Sequence, residues 1–439
     1  VRYLFTLVLL TAAAYFATSY FGRKVIKQGD LTIRLQTYQF PDVRPFAKAE
    51  MKLAEFGYEL FRDTRLSANG EVACVSCHKP EHSFADNRAL SEGLERGQLN
   101  TPAIINEFAS HWFFWNGRVD SLVMQAQDPL ESLSEQGISR FQVVRRLYES
   151  YRPLYRSIFG PLPEPLTTYL ADPKWVAAEA APAPVEVEVP DKWRSLWIDF
   201  HFGKPAQPAE WARRWQQLPA TVQKQVNRVF GHATQALAQY QKGLIARDAP
   251  FDRFVAKAVS SGGVQQALSD EFNEQQLRGF LLFTGKANCT RCHSGPLFTD
   301  HDFHNNGVAL SERRSMGRIE GLLRWAFAPG KCQGQPPVKW CTMTNPKEAA
   351  LTEAENDETL LGIHKTPSLR QVDLTAPYMH DGSIATLDDV VAAYNEPYAR
   401  GLGMLDPAIQ PLNLSAKERR DLVAFLKSLS SPVEDLSTQ

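Results

Sequence analysis

Two pentapeptides decide how this chain reads: Cys74-Val75-Ser76-Cys77-His78 and Cys289-Thr290-Arg291-Cys292-His293. Each is a Cys-x-x-Cys-His frame, the pattern in which both thiols form thioethers with the vinyl groups of a haem. The His that follows turns its imidazole onto the iron as the proximal ligand. A zinc site would need further Cys and His pairs at ligand spacing. A thioredoxin-like redox pair rarely carries the trailing His, and here it occurs twice. The chain therefore reads as a carrier of two covalently bound haem c groups, one through Cys74, Cys77 and His78, the other through Cys289, Cys292 and His293.

The surroundings of the two frames repeat. Gly57-Tyr58-Glu59-Leu60-Phe61 precedes the first, and Gly279-Phe280-Leu281-Leu282-Phe283 precedes the second. Phe84-Ala85-Asp86 follows the first, and Phe298-Thr299-Asp300 follows the second. This internal repeat predicts two related haem domains, each entered by a helix with apolar residues at helical spacing. Strand-like alternation is scarce. Thr386-x-x-Asp389 and Ser415-x-x-Glu418 are helix-start signals, each followed by an apolar stripe. The fold class is mainly α. The expected order is an N-terminal haem domain over 40–159, a Pro/Ala-rich surface insertion over 160–215, a helical connection over 216–270 and a C-terminal haem domain over 271–432.

The chain has 439 residues, enough for two or three domains. With 44% hydrophobic residues, 26 Gly and 28 Pro, it is neither disordered nor fibrous. A formal net charge of −1 offers no basic face for nucleic acid. Residues 3–21 are free of charge and are flanked by Arg2 and by Arg23 and Lys24, so the segment 1–28 reads as a signal peptide or a membrane anchor. Covalent haem attachment puts the folded part outside the cytoplasmic membrane, in a bacterial periplasm. The two remaining cysteines, Cys332 and Cys341, flank a Gly/Pro-rich loop, and a disulfide there is favoured over two free thiols.

Further runs make the pattern specific. They are Leu60-Phe61-Arg62-Asp63-Thr64-Arg65-Leu66-Ser67, Asn100-Thr101-Pro102, Phe114-Trp115-Asn116-Gly117-Arg118, Thr366-Pro367-Ser368-Leu369-Arg370 and Thr375-Ala376-Pro377-Tyr378-Met379-His380-Asp381-Gly382-Ser383. With these the sequence resembles the bacterial di-haem cytochrome c peroxidases, the family that includes the MauG-type enzymes. The resemblance implies two cytochrome-c-like haem domains facing across an interface.

It also implies roles. The family's N-terminal haem has a distal Gln and, ten residues on, a Glu, a spacing matched by Gln125 and Glu135. Splitting peroxide needs a group that takes a proton from one oxygen and returns it to the other, which a buried carboxylate can do. Glu135 is thus the expected general acid–base, and Gln125 orients peroxide or a water. Trp115 is expected to relay electrons between the haems, although Asn116 stands where the family motif has Asp. Many members close the peroxidatic iron with a His eight residues before the Asn of Asn-Thr-Pro. That position is Glu92, and no His lies between His82 and His111, as in the MauG branch. A calcium ion is expected between the domains, on the Asn100 side chain and the carbonyls of Thr375 and Pro377, oxygen ligands that suit this ion.

The distal ligand of the C-terminal haem falls fourteen residues after His380, at Tyr394. Cytochrome c peroxidases have Met there and MauG-type proteins Tyr; Met379 and Met404 are the alternatives. The implied function is reduction of hydrogen peroxide at an open N-terminal haem, with the His293/Tyr394 haem storing or relaying the second oxidising equivalent. Electrons would come from a small periplasmic cytochrome or cupredoxin, or from quinol. Two other readings are a MauG-like oxidation of side chains on a partner protein and a non-enzymatic di-haem electron carrier.

Overall fold

The computed structural model describes residues 31, 34–181, 208–308, 317–327, 345–397 and 403–437. The apolar run 3–21 and both Cys332 and Cys341 lie outside them. Among the described residues no helix is long and apolar enough to cross a membrane.

Helices build both halves, as the sequence predicts. The N-terminal half contains α1 (Lys48–Arg62), the single turn α2 (Cys74–Cys77), α3 (Leu122–Glu131), α4 (Arg140–Ser150), α5 (Arg152–Phe159), α6 (Glu164–Ala171), α7 (Ala209–Gln216) and α8 (Ala220–Lys242). The C-terminal half contains α9 (Pro250–Ser261), α10 (Val264–Ala267), α11 (Glu274–Thr284), α12 (Arg318–Phe327), α13 (Pro346–Asn356), α14 (Leu387–Asn395) and α15 (Ala416–Lys427). Two-residue strands tie the chain at two places. β1 (Leu244–Ile245) pairs antiparallel with β4 (Glu434–Asp435), and β2 (Phe303–His304) with β3 (His364–Lys365).

The repeat around the two haem frames has a structural cause. A Cβ on Gly57 would stand 2.0 Å from the Ala236 carbonyl oxygen, and one on Gly279 would stand 2.0 Å from that of Asp421. In each half the helix entering the haem frame crosses a second helix at backbone contact, α1 on α8 and α11 on α15. Only a residue without a side chain allows that approach. Phe56, Leu60 and Phe61 then pack with Val229, Phe230, Ala233 and Leu237 in one core. Phe251, Phe280, Phe298 and Phe425 pack in the other, with the Phe251 and Phe280 rings 5.2 Å apart. Both expected start signals are formed. The Ser415 Oγ accepts from the Glu418 N–H while Glu418 accepts from the Ser415 N–H, and the Thr386 Oγ1 accepts from the Asp389 N–H.

Several expected boundaries are corrected. Residues 160–181 are not a surface insertion, because Leu166, Leu170 and Trp175 are buried in the N-terminal core. Proline in the first turn of α6 is compatible with helix, so the Pro/Ala composition concealed a packed element. The segment 216–270 is not a separate connection: α8 is the central helix of the N-terminal half, and α9 puts Phe251 and Phe254 into the C-terminal core. The chain also crosses between halves at its start, where Leu31, Leu35 and Tyr38 join the C-terminal core and Tyr38 stacks on Phe298 at 5.1 Å.

Candidate functional site

Both haem frames hold their histidine in the same way. The His78 N–H donates to the Cys74 carbonyl at 2.9 Å and the His293 N–H to the Cys289 carbonyl at 2.8 Å. Nδ1 of His78 donates to the Phe84 carbonyl at 3.0 Å, and Nδ1 of His293 donates to the Phe298 carbonyl at 2.9 Å. Phe84 and Phe298 both adopt left-handed backbone, φ +58° and +54°, which turns each carbonyl toward its imidazole. A carbonyl only accepts, so the proton sits on Nδ1 and the lone pair on Nε2. That is the tautomer a metal-ligating histidine needs. Burial lowers both imidazoles below the usual range, keeping them in the neutral, ligating form. None of the four frame cysteines is in a disulfide. The donor sets fit haem attachment at both places.

On the N-terminal side, α3 starts at Ser121, whose Oγ accepts from the Met124 N–H. One turn in, the Gln125 Oε1 is buried without a hydrogen-bond partner among the described residues. A buried amide oxygen of that kind is aimed at something that donates to it. The turn after α3 carries Glu135 and is held by the Glu135 N–H to the Ser132 carbonyl at 3.0 Å and by the Leu94 N–H to the Glu135 carbonyl at 3.0 Å. Burial, and after it the negative charge of Asp128, push the Glu135 carboxyl up to about 7. Arg118, Ser132 and Arg324 act in the opposite direction. Asp128 pairs with Arg118 at 2.6 Å; burial works to raise its carboxyl, but Arg118 and Arg324 hold it below the usual range. Two adjacent carboxyls are thus driven apart, one ionised and one poised near neutrality.

Glu92, where other members carry a closing His, forms an exposed ion pair with Arg88. Its backbone carbonyl lies 3.6 Å from the Cys77 sulfur.

Trp115 lies where the halves meet. Its indole N–H donates to the Asn100 carbonyl at 2.9 Å, and its own carbonyl accepts from the Lys365 N–H at 2.7 Å. Its ring stands edge-on to His380 at 6.4 Å, and His380 stacks on His364 at 3.8 Å. Asn100 bridges the halves as well, with its N–H on the His380 carbonyl at 2.9 Å and its Nδ2 on the Arg88 carbonyl at 2.8 Å. Of the expected calcium ligands, Asn100 therefore reaches the loop that carries Pro377. The Thr375 Oγ1, which is not the expected ligand atom, donates to the Val372 carbonyl at 3.5 Å.

On the C-terminal side, burial raises the Tyr394 phenol, and a hydrogen bond from the Asn306 amide acts in the opposite direction. The Asn306 amide stands 3.4 Å from the Tyr394 Oη and 3.6 Å from the Met379 sulfur. Met404 is 68% exposed. His304 is fixed between Asp300 at 2.8 Å and Asp406 at 2.6 Å. Hydrogen bonds to the carboxylates of Asp300 and Asp406 raise its imidazole well above the usual range, so it is a cation.

Sequence reasoning missed several of these groups. Arg118 stood inside a quoted motif, and its pairing partner ten residues on was the available signal. Asn306 and Arg324 act across the fold and carry no local signal.

Residues 51–183 match the family model of di-haem cytochrome c peroxidases. The chain is 30% identical to the methylamine utilization protein MauG of Methylorubrum extorquens, over 92% of this chain and 86% of that one. It is 30% identical to the cytochrome-c peroxidase IdrP1 of Denitromonas iodatirespirans, over 85% of this chain and 80% of that one. Among solved structures, the fold is similar to the diheme peroxidase BthA of Burkholderia thailandensis, with a TM-score of 0.57, 19% identity and coverage of 90% and 89%.

Proposed function

The chain belongs to the di-haem cytochrome c peroxidase family, an oxidoreductase family with two c-type haems, and on that premise we propose that it is an exported enzyme that reduces hydrogen peroxide on its N-terminal side. The observation that carries this reading is Glu135, a buried carboxyl held at about 7 beside an ion-paired Asp128. When bound, each haem supplies an iron that exchanges electrons and, where its distal position is open, takes peroxide.

The chain's own residues do the rest. His78 and His293 hold the two groups through Nε2, their Nδ1 protons fixed by the Phe84 and Phe298 carbonyls. Gln125 orients peroxide through the amide oxygen that has no hydrogen-bond partner among the described residues. Glu135 accepts the proton of the near oxygen and delivers it to the departing one, a transfer for which a group titrating near 7 is well matched. Two electrons and two further protons complete reduction of one peroxide to two waters. Trp115, bonded to Asn100 and edge-on to His380, would carry electrons from the C-terminal side, where Tyr394 would help to hold the second haem. Asn100 Oδ1, with the Thr375 and Pro377 carbonyls, offers a hard oxygen set for one calcium ion between the halves. A small periplasmic redox protein or quinol supplies the electrons.

Glu92 favours an enzyme that is open before reduction, because its carboxylate is taken by Arg88 and is no iron ligand. Mixing the fully ferric protein with peroxide should bleach the high-spin signal at once. A strict requirement for a pre-reduced haem would overturn this reading. Tyr394 and Glu92 also fit the second reading, oxidation of side chains on a partner protein. Stable modification of a co-purified protein after peroxide treatment distinguishes it from turnover with a reduced small cytochrome.

A further inference from the structure

At the junction of the halves the guanidinium of Arg318 is buried against two aromatic rings that meet edge to face, 4.0 Å from the Trp112 centroid and 4.1 Å from that of Phe303. Its Nη1 donates to the Gly117 carbonyl at 2.7 Å and to the Asn116 carbonyl at 3.3 Å. Its backbone N–H donates to the Ile363 carbonyl at 2.9 Å, which anchors the start of α12 beside β3. One turn on, a Cβ at Gly321 would stand 1.7 Å from the same Asn116 oxygen, so the helix backbone itself meets the turn. A turn further, the Trp325 indole N–H donates to Asp120 Oδ2 at 3.1 Å. Positions 318, 321 and 325 lie on one helical face. That face of a C-terminal-half helix grips residues 116–120, the turn that follows Trp115 and carries Arg118.

Packing alone does not explain this choice of residue. A buried cation is costly unless its donors are met, and an apolar side chain would fill the space between Trp112 and Phe303 without that cost. What arginine adds is a rigid planar fork that lies against the aromatic rings and fixes backbone carbonyls at one angle. Burial lowers Arg318 to about 9, with Glu353 and Asp302 acting against the shift, so it stays a cation at neutral pH.

We propose that Arg318 is the positioning residue for Trp115, fixing the 116–117 peptides so that the indole keeps the placement needed for electron transfer between the halves. The inference rests on the reading of Trp115 as the relay. One electron at a time passes through Trp115 from the His293 side toward the His78 side, with hydrogen peroxide as the oxidant. Arg318 touches neither peroxide nor the acid–base group and reaches Glu135 only through the turn that carries Arg118, so its loss should slow this passage far more than the first encounter with peroxide.

The test uses the holoenzyme with Arg318→Gln, Arg318→Lys, Trp115→Phe and the Gln/Phe double variant. Two rates are read by rapid mixing: the bimolecular reaction with peroxide on the N-terminal side and the later spectral change of the C-terminal haem. Arg318→Gln should slow the second by about tenfold or more, since ångström-scale misplacement of a reacting group carries losses of that order, while leaving the first within about twofold. Arg318→Lys, which keeps the stacked cation without the fork, should fall between. The double variant should be no slower than Trp115→Phe alone, because Arg318 acts through that ring. If Trp115→Phe slows transfer and Arg318→Gln and Arg318→Lys do not, the proposal is overturned. If Trp115→Phe changes nothing, the relay reading fails first. Should Arg318→Gln not assemble with haem, Arg318→Lys decides: a passage as fast as the parent's refutes the positioning role.

Discussion

The Arg118 guanidinium lies 2.6 Å from the Asp128 carboxylate and stacks over the Phe114 ring at 3.3 Å, so the residue three positions after Trp115 fixes the charge next to Glu135. The consequence is electrostatic. Asp128 stays ionised because Arg118 and Arg324 outweigh its burial. Its negative charge then adds to burial in keeping the proton on Glu135 up to about pH 7. The relay turn and the proton-transfer pocket therefore share one ion pair.

The pH dependence of the first reaction with peroxide follows from that arrangement. Glu135 must be ionised to accept a proton, so the rate constant should rise with pH, be half-developed near 7 and level off above. Asp128→Asn removes the anion that raises Glu135 and should move the rising limb toward acid. Arg324→Gln removes a cation that lowers it and should move the limb toward alkali. Stopped-flow traces from about pH 5 to about pH 9 check the signs. A flat profile in the parent protein would show that Glu135 does not control the step.

Glu135→Gln should lower peroxide cleavage by about 10²–10⁴-fold, the usual contribution of a positioned acid–base group. Both haems should remain attached, because their frames depend on carbonyls of Phe84 and Phe298 that the substitution does not touch. Haem content, circular dichroism and single-turnover rates report these separately. A loss below about threefold would assign the proton to another group.

The glycines of the repeat give a stability prediction with its own control. Gly57→Ala and Gly279→Ala each drive a methyl into a backbone carbonyl, and should cost about 1–3 kcal/mol or more through overpacking. Gly231, also on α8, has nothing within 4 Å of a built Cβ. Gly231→Ala should stabilise the helix by about 0.5–1 kcal/mol. Unfolding followed by helical circular dichroism ranks the three. Equal effects at 57 and 231 would contradict the close crossing of α1 and α8.

Much of this architecture was legible because its signals are local. Two Cys-x-x-Cys-His frames, their flanking glycines and Phe84 with Phe298 mark the halves, and the glycines, the frame histidines and the two phenylalanines make the same contacts in both. The cores that complete each half were not legible. Leu166 and Trp175 sit in a stretch whose prolines suggest loop, yet proline is tolerated in a helix's first turn, and burial depended on partners in α4 and α8. Glu135 was reached through the family spacing to Gln125, but its charge state comes from burial and then from Asp128 and Arg118, none of which chain order alone announces. Arg318 shows the limit most clearly: its partners lie some two hundred residues away in sequence, and nothing near position 318 announces a buried cation.

Tyr394 carries the last prediction. Its phenol is held by burial above the usual range, and the Asn306 amide stands between its oxygen and the Met379 sulfur. A tyrosine oxygen can serve the C-terminal iron as an anionic ligand, which favours ferric and higher states, whereas a neutral thioether favours ferrous iron and raises the potential. Tyr394→Met should therefore raise the reduction potential of the C-terminal haem and shorten the life of the doubly oxidised enzyme. The fold should survive, since methionine adapts to irregular buried space. Tyr394→Phe removes the oxygen while keeping the ring, and should change the low-spin spectrum of that haem. If the spectrum is unchanged in Tyr394→Phe but lost in Met379→Leu, the ligand is Met379. The C-terminal side would then work as an ordinary His/Met electron carrier, and the partner-oxidising reading would lose its structural basis.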